Sequence, residues 1–319
     1  MVLAFAGDST ITKFFVISFL RFNKEGFPPK FGRKISRIKS YGVNFFEFFY
    51  FCVMNNLVLT AIEAARKAGR AIMEIYAHPF EVYTKADQSP VTQADLRASN
   101  IIKECLKPTG IPFVSEEDLP PDRSKFGRYW LVDPLDGTAE FVKRNDEFTV
   151  NIALIENKRP VLGVIYAPVS GDLWTAEATG AAGKSSLRHC ISPCGRYDKV
   201  PQGGLPAAGD DGRPFTVLVS RSHRTPEVDE YIDKVLRPEH PDLVIDTQGS
   251  SLKFARLAEG SADVYVCYSK TKEWDTAAAD AILTAVGGKV LKISDGKPLE
   301  YDKEDYPNPP FVAWAPNKQ

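Results

Sequence analysis

The sequence predicts an α/β protein whose two lobes stack as layers of sheet and helix. Two observations carry that prediction. Strand-like runs with hairpin signals come first, and strands alternating with helical patterns come later. A content of 44% hydrophobic and 25% charged residues in 319 positions allows a sizeable core. The formal net charge of −1 provides no global field for a nucleic acid polymer. Charge is uneven, however: residues 1–53 carry eight basic and three acidic side chains, leaving a mildly acidic remainder of −6.

The elements follow in order. From Leu57 to Ala77, apolar residues recur at Val58, Ala61, Ile62, Ala65, Ala68, Ile72 and Ile75, the spacing of a helix with one buried face. Met54 is expected to open this helix, with Asn55 or Asn56 as its cap. A short strand over Glu81–Thr84 leads to the turn Asp87-Gln-Ser-Pro90. Thr92 then caps a helix to about Leu106, with Asp95 in its first turn in the manner of a capping box. Strands are expected at Ile111–Ser115 and Tyr129–Val132. Phe148–Ile155 and Val161–Ala167 form a hairpin across Asn157-Lys-Arg-Pro160, and Leu173–Ala176 extends the same sheet. Residues 190–214, rich in Gly, Pro and Asp, read as a surface excursion. Beyond them, strands at Phe215–Val219, Leu243–Asp246 and Ala262–Tyr268 alternate with helices near Pro226–Leu236, Ser251–Glu259 and Thr276–Val286.

The first 53 residues stand apart. The apolar runs Phe14–Leu20 and Phe45–Met54 are far shorter than the roughly 20 residues a membrane span needs, and no convincing cleavage site follows the first. The stretch is read as an extension outside the fold, either an over-long start or a basic, aromatic anchor for a membrane surface. The catalytic part is placed at 54–319, with lobes at about 54–185 and 215–319. Five scattered cysteines include only one close pair, Cys190 and Cys194, with no second Cys/His pair to complete a zinc site. Such an odd set fits a reducing compartment.

Four acidic groups fall at element ends. Glu116 follows the strand at 111–115, Asp133 ends the strand at 129–132, Asp136 lies in the next loop, and Asp275 precedes the helix at 276–286. Strand ends are where open α/β sheets place their sites. Oxygen ligands without nearby His or Cys select Mg²⁺ or Mn²⁺ over zinc. Pro134 stiffens the turn, Gly137 leaves room for a ligand, and the N–H groups of Gly137 and Thr138 are placed to hold a phosphate. Plainer readings stay open. Asp275 also suits a helix N-cap, Asp95 a capping residue, Glu116-Glu117-Asp118 a solvated turn, and Asp-Pro-Leu-Asp-Gly a rigid loop. What favours chemistry is their joint occurrence, because two uncompensated carboxylates at one strand end are costly.

In order and spacing, VTQAD (91–95), SEED (115–118), WLVDPLDGTAEF (130–141) and EWDTAAAD (273–280) resemble the inositol monophosphatase superfamily. VKRNDEFTVNIALI (142–155), VSRSH (219–223) and GSSLKFARLAEG (249–260) resemble one branch of it, the CysQ-type 3′(2′),5′-bisphosphate nucleotidases. The resemblance runs from about Met54 to the C-terminus. It implies a layered α/β/α/β/α sandwich and a Mg²⁺-dependent, Li⁺-sensitive phosphatase, with Mn²⁺ as a substitute. The implied substrate is adenosine 3′,5′-bisphosphate, a by-product of sulfate assimilation, and the implied location is the cytoplasm or the cytoplasmic face of the inner membrane. It further implies that Glu116, Asp133, the Leu135 carbonyl, Asp136 and Asp275 hold the metal. Asp95 and Thr138 would activate water, Gly137 and Thr138 would hold the phosphate, and His223, Ser250 and Lys253 would contact the nucleotide. Outside that family context, Lys253 also reads as an exposed helix lysine and His223 as a loop residue. The chain departs from the branch at Cys267, where Arg is common, at Ala139, where Lys is common, and at Ala279, where Gly is common. Residues 186–214 match no pattern. Two alternatives remain: an inositol or sugar phosphatase, and a non-catalytic phosphonucleotide binder.

Overall fold

A computed structural model describes residues 45–84, 90–120, 122–123, 125–179, 186–192, 212–316 and 318. Among the described residues two large sheets and three layers of helix make up the fold, with a small two-strand sheet beside them. The first sheet has six strands in sequence order: β3 (Phe113–Ser115), β4 (Arg128–Asp136), β5 (Thr149–Glu156), β6 (Arg159–Tyr166), β7 (Leu173–Thr179) and β8 (Ser186–Ser192). Only the β3–β4 pairing is parallel. The predicted hairpin is present as a tight two-residue turn, with Asn157 and Lys158 at φ 50° and 64°, the left-handed pair that matches strand twist.

One face of this sheet carries α1 (Phe45–Tyr76) and α2 (Gln93–Leu106). Val58, Ala61, Ile62, Ala65, Ala68 and Ile72 bury the stripe that their spacing predicted, against Trp130, Val132, Ile152 and Val164. A two-strand ribbon of β1 (Val82–Thr84) and β2 (Pro90–Thr92) precedes α2. The opposite face meets α5 (Leu252–Ala258) and α6 (Glu273–Ala285). Ala277, Ala278, Ala279 and Ala281 let α6 lie close between two sheets. Gly163 on β6 approaches the Ala278 carbonyl so closely that a Cβ there would collide with it.

The second sheet runs β10-β9-β11-β13-β12, formed by β9 (Thr216–Ser220), β10 (Val244–Gln248), β11 (Val264–Cys267), β12 (Lys289–Lys292) and β13 (Phe311–Trp314). Its outer face is covered by α4 (Pro226–Tyr231) and the wider turn continuing it to Leu236. Val228, Ile232 and Leu236 pack there on Val217, Val219, Val264 and Val266. The layers are therefore α/β/α/β/α, as the resemblance implied.

Two expectations need correction, and two strands were missed. The first helix does not open at Met54: it is continuous from Phe45, and Asn55 and Asn56 lie inside it and not at its start. Residues 1–44 lie outside the described residues, as do the turn at 87–89 and most of the 190–214 excursion. Asp275 does not precede its helix but sits in its first turn, because Glu273 and Trp274 are already helical. Finally, β12 and β13, each four residues long, were not foreseen from Lys-Val-Leu-Lys and Phe-Val-Ala-Trp. Among the described residues no helix is long and apolar enough to cross a membrane.

Candidate active site

Alternation along a strand would send residues three apart to opposite faces. Asp133 and Asp136 escape that rule because β4 bulges between them. Asp133 pairs with Asn151 and Asp136 with Thr149, so three steps on β4 oppose two on β5. Pro134 lies inside the bulge, where its missing N–H costs no ladder bond. The extra residue turns both carboxylates toward α6, which brings Asp275 to meet them. Oxygens from Asp133, Asp136 and Asp275 lie within 4.8 Å of one another.

Separate supports hold each of the three. Asp133 is buried, and its Oδ1 accepts the Leu135 N–H at 3.1 Å. Asp136 Oδ2 accepts from the Ser251 N–H (2.6 Å), Ser251 Oγ (2.6 Å), Ser250 Oγ (3.1 Å) and Asn151 Nδ2 (3.2 Å). Asp275 Oδ2 accepts the Lys272 N–H at 2.8 Å. The start of α6 is fixed in turn by fully buried Glu273, which bonds Arg123 Nη1 at 2.5 Å and the Lys303 N–H at 2.8 Å. Burial, and then the charges of Asp136 and Glu116, push the Asp275 carboxyl well above its ordinary range. Glu116 follows β3, with its N–H on the Val132 carbonyl at 3.1 Å, and lies outside the trio of converging oxygens.

Asp95 carries both of the roles that the sequence left open. Its Oδ2 accepts the Thr92 N–H and Thr92 Oγ1, each at 2.7 Å, completing the capping box of α2. Its Oδ1 accepts from Thr138 Oγ1 at 3.0 Å. That hydroxyl also lies 3.2 Å from the Leu135 carbonyl oxygen. Burial raises the pKa of Asp95, with the Thr92 and Thr138 bonds opposing the rise and Glu116 adding to it. Gly137 has φ 91° and stands where a Cβ would press on the Glu147 carbonyl, so glycine is required at this turn. It begins α3 (Thr138–Lys143), a six-residue helix too short for a sizeable dipole, so any phosphate binding there relies on individual N–H groups.

The remaining predicted residues divide. Ser250 reaches the site through its bond to Asp136. His223 is exposed on the loop after β9, its N–H on Ser220 Oγ at 3.2 Å. Lys253 is not the exposed helix lysine of its plainer reading: it is buried, with its ammonium on the Ser250 carbonyl at 2.6 Å and 5.0 Å from the centroid of the Tyr265 ring. Thr149, Asn151 and Ser251, all holding Asp136, were missed. So was Glu147, which accepts the Gly249 N–H (2.6 Å) and clasps Arg221 through Nε (2.6 Å) and Nη2 (2.7 Å). The only sequence signal for the first two was a polar pair on an otherwise apolar strand, Thr149-Val-Asn151.

The donor set fits a hard divalent cation: three carboxylates converge in a largely buried place, where burial first, and the charges of Asp136 and Glu116 next, raise Asp275. Thermal melts check this. Asp275 and Asp95 both titrate above the ordinary Asp value of 3.8 when folded, so their contribution is full below that value. It is lost as pH rises through the raised values. Metal-free protein in chelator should therefore gain Tm as pH falls from 7 toward 4, wherever the raised carboxyls take up their protons, at up to about 1.4 kcal/mol per pH unit for each extra proton held. A divalent cation should raise Tm more at pH 7 than at pH 5. A chelated Tm that falls steadily over this interval would mean the carboxylates are already compensated.

The inositol monophosphatase family profile matches residues 54–317. The 3′(2′),5′-bisphosphate nucleotidase CysQ of Escherichia coli K12 is 44% identical over 257 residues, covering 78% of this chain and 96% of that protein. The crystal structure of CysQ from Bacteroides thetaiotaomicron, a bacterial member of the inositol monophosphatase family, is 41% identical with a TM-score of 0.69. It covers 82% of this chain and 97% of that one. The inositol monophosphatase TM1415 of Thermotoga maritima, at 22% identity and a TM-score of 0.61 over 82% of this chain and 92% of that one, shares the fold.

Proposed function

Because this chain belongs to the inositol monophosphatase family, we propose that it is a Mg²⁺-dependent 3′(2′),5′-bisphosphate nucleotidase hydrolysing adenosine 3′,5′-bisphosphate to AMP and phosphate. The observation that carries this reading is the converging Asp133, Asp136 and Asp275 trio beside the Asp95–Thr138 bond, in a chain whose relatives bear that activity in their names. Phosphatase chemistry is shared across these relatives, while the particular substrate is the finer proposal.

When bound by the trio with Glu116 and the Leu135 carbonyl, Mg²⁺ would supply Lewis acidity and neutralise phosphate charge. The chain's own residues do the rest. The Gly137 and Thr138 N–H groups hold phosphate oxygens at the start of α3. Thr138 aims its proton at Asp95 Oδ1 and so presents lone pairs to an incoming water. Water attacks phosphorus and yields its proton to Thr138 Oγ1 as the Thr138 proton passes to Asp95 Oδ1, the bond from phosphorus to the 3′-oxygen breaks, and that oxygen takes up a proton from solvent. His223, exposed on the loop after β9, would meet the nucleotide. The small-molecule substrate makes the physiological task the clearing of a by-product of sulfate assimilation, with Li⁺ as inhibitor and Mn²⁺ as a substitute metal. This task suits a cytoplasmic enzyme, either free or resting on the inner membrane face through its basic N-terminal tract.

Cys267 favours a second reading, an inositol or sugar phosphatase. It is buried at the end of β11, its Sγ 3.3 Å from Ser269 Oγ, and gives no charge where the branch commonly has Arg. Phosphate release from adenosine 3′,5′-bisphosphate and inositol 1-phosphate, measured side by side with Mg²⁺, decides between them. Strong preference for the nucleotide is expected. Preference for inositol 1-phosphate would overturn the nucleotidase reading, and Mg²⁺-dependent binding of the nucleotide without release would point to a binder.

A further inference from the structure

We propose that Asn308 is a positioning residue for Asp275, acting through Lys272, whose N–H holds that carboxylate. The inference rests on the metal site put forward above. Helix α6 has a weak start of its own. Its cap position is Lys272, extended at φ −111° and ψ 169°, and a lysine side chain has no acceptor for the open N–H groups of a first turn. Only the return half of a capping box forms, from the Lys272 N–H to Asp275 Oδ2 at 2.8 Å. The carboxylate that stiffens this turn is therefore one that the metal also claims.

The rest of the hold comes from segment 303–308, which leads toward β13. Buried Asn308 donates from Nδ2 to the Lys272 carbonyl at 2.6 Å and to Thr276 Oγ1 at 3.1 Å. A carbonyl can only accept, so the Lys272 bond fixes which end of the amide faces α6. The Asn308 main-chain N–H bonds the Thr271 carbonyl at 2.9 Å. Asn308 thus holds the carbonyls on both sides of the Lys272 N–H, one with its main chain and one with its side chain. Together they fix the direction of that N–H, and the N–H sets the rotation of Asp275.

Neighbouring contacts keep segment 303–308 in place. The Glu273 N–H bonds the Tyr306 carbonyl at 2.9 Å, and Tyr306 adopts φ 63°, a left-handed conformation that a residue with a Cβ takes at a cost. The Arg123 guanidinium lies 3.9 Å from the centre of the Tyr306 ring and pairs with Glu273 at 2.5 Å.

Two roles for Asn308 predict different results. A residue that only stabilises the fold lowers Tm in chelator and leaves the folded protein's metal affinity unchanged. A residue that positions Asp275 weakens metal binding well below the melting temperature. Mn²⁺ binding, read by electron paramagnetic resonance on the full chain, separates them when Tm is measured beside it. Asn308→Ala should raise the Mn²⁺ Kd about tenfold, at the low end for groups that orient metal ligands. Asn308→Ser keeps a shorter donor and should lose only about threefold, the worth of part of one hydrogen bond. Val228→Ala is the control, a buried change under α4 on the outer face of the second sheet. It should lower Tm and leave the Mn²⁺ Kd unchanged.

Mn²⁺ binding by Asn308→Ala as tight as in the wild type would overturn the proposal, as would an equal loss in Val228→Ala. Should Asn308→Ala fail to fold, weaker binding by Asn308→Ser supports the proposal and unchanged binding overturns it. A wild-type chain that binds no Mn²⁺ would defeat the metal site and this proposal with it. Turnover of adenosine 3′,5′-bisphosphate by the wild type is recorded alongside. Its absence with Mn²⁺ bound would defeat the nucleotidase reading and leave the Mn²⁺ comparison intact.

Discussion

Asp133→Asn is expected to lower kcat on adenosine 3′,5′-bisphosphate by about 10³-fold or more, with the fold intact. The size follows from the several kcal/mol that a bound metal contributes to a phosphoryl transition state, at about 1.4 kcal/mol for each factor of ten. Asp133 is the most enclosed of the three converging carboxylates, so its loss is not made good by water. Asparagine keeps an oxygen for the Leu135 N–H and fills the same space. It also removes one of three like charges, so in chelator the variant should melt at or above the wild-type temperature. Steady-state kinetics at saturating Mg²⁺, together with melts in chelator, test both halves. An unfolded variant would make Asp133 structural, and undiminished turnover would remove it from the metal site.

Asp133 and Asp136 also show what the sequence could and could not reveal. That they belonged together was legible, because an apolar strand running into Asp-Pro-Leu-Asp-Gly leaves two charges at a single end. How they come to face one point was not. The answer is a register shift against β5, and it depends on Asn151 and Thr149, which are fifteen and thirteen residues beyond Asp136. Local patterns report local contacts, and the bulge is a relation between strands. The same limit explains the missed Ser251, whose partner Asp136 is more than a hundred residues away.

Lys253 illustrates a different limit. On helix α5 its position reads as exposed only if the middle layer is imagined open to solvent. The second sheet closes over that layer, placing Tyr265 beneath the ammonium. By contrast, α1 and the Asn157–Lys158 turn were readable because their determinants are periodicity and backbone sterics within a few residues. The four-residue strands β12 and β13 offered too little periodicity to be recognised, and are strands only because each finds a partner in the other and β13 also pairs with β11.

Thr138→Ala should lower kcat and kcat/KM together by about 10² to 10⁴-fold, the usual worth of a positioned proton acceptor. Thr138→Ser should keep most of the activity. The pair is informative because Asp95 has two duties. Its Oδ2 caps α2 and its Oδ1 holds the Thr138 hydroxyl. Asp95→Asn would therefore damage helix and chemistry at once, a missing cap alone costing about 1 kcal/mol. Thr138→Ala touches only Oδ1 and leaves the capping box whole, so its kinetic loss should come with almost no change in Tm. If the two groups act as one unit, adding Asp95→Asn to Thr138→Ala should lower kcat little further while still lowering Tm. Additive kinetic losses would mean that Asp95 serves the reaction by some route other than Thr138. Full activity in Thr138→Ala would show that water is positioned without either of them.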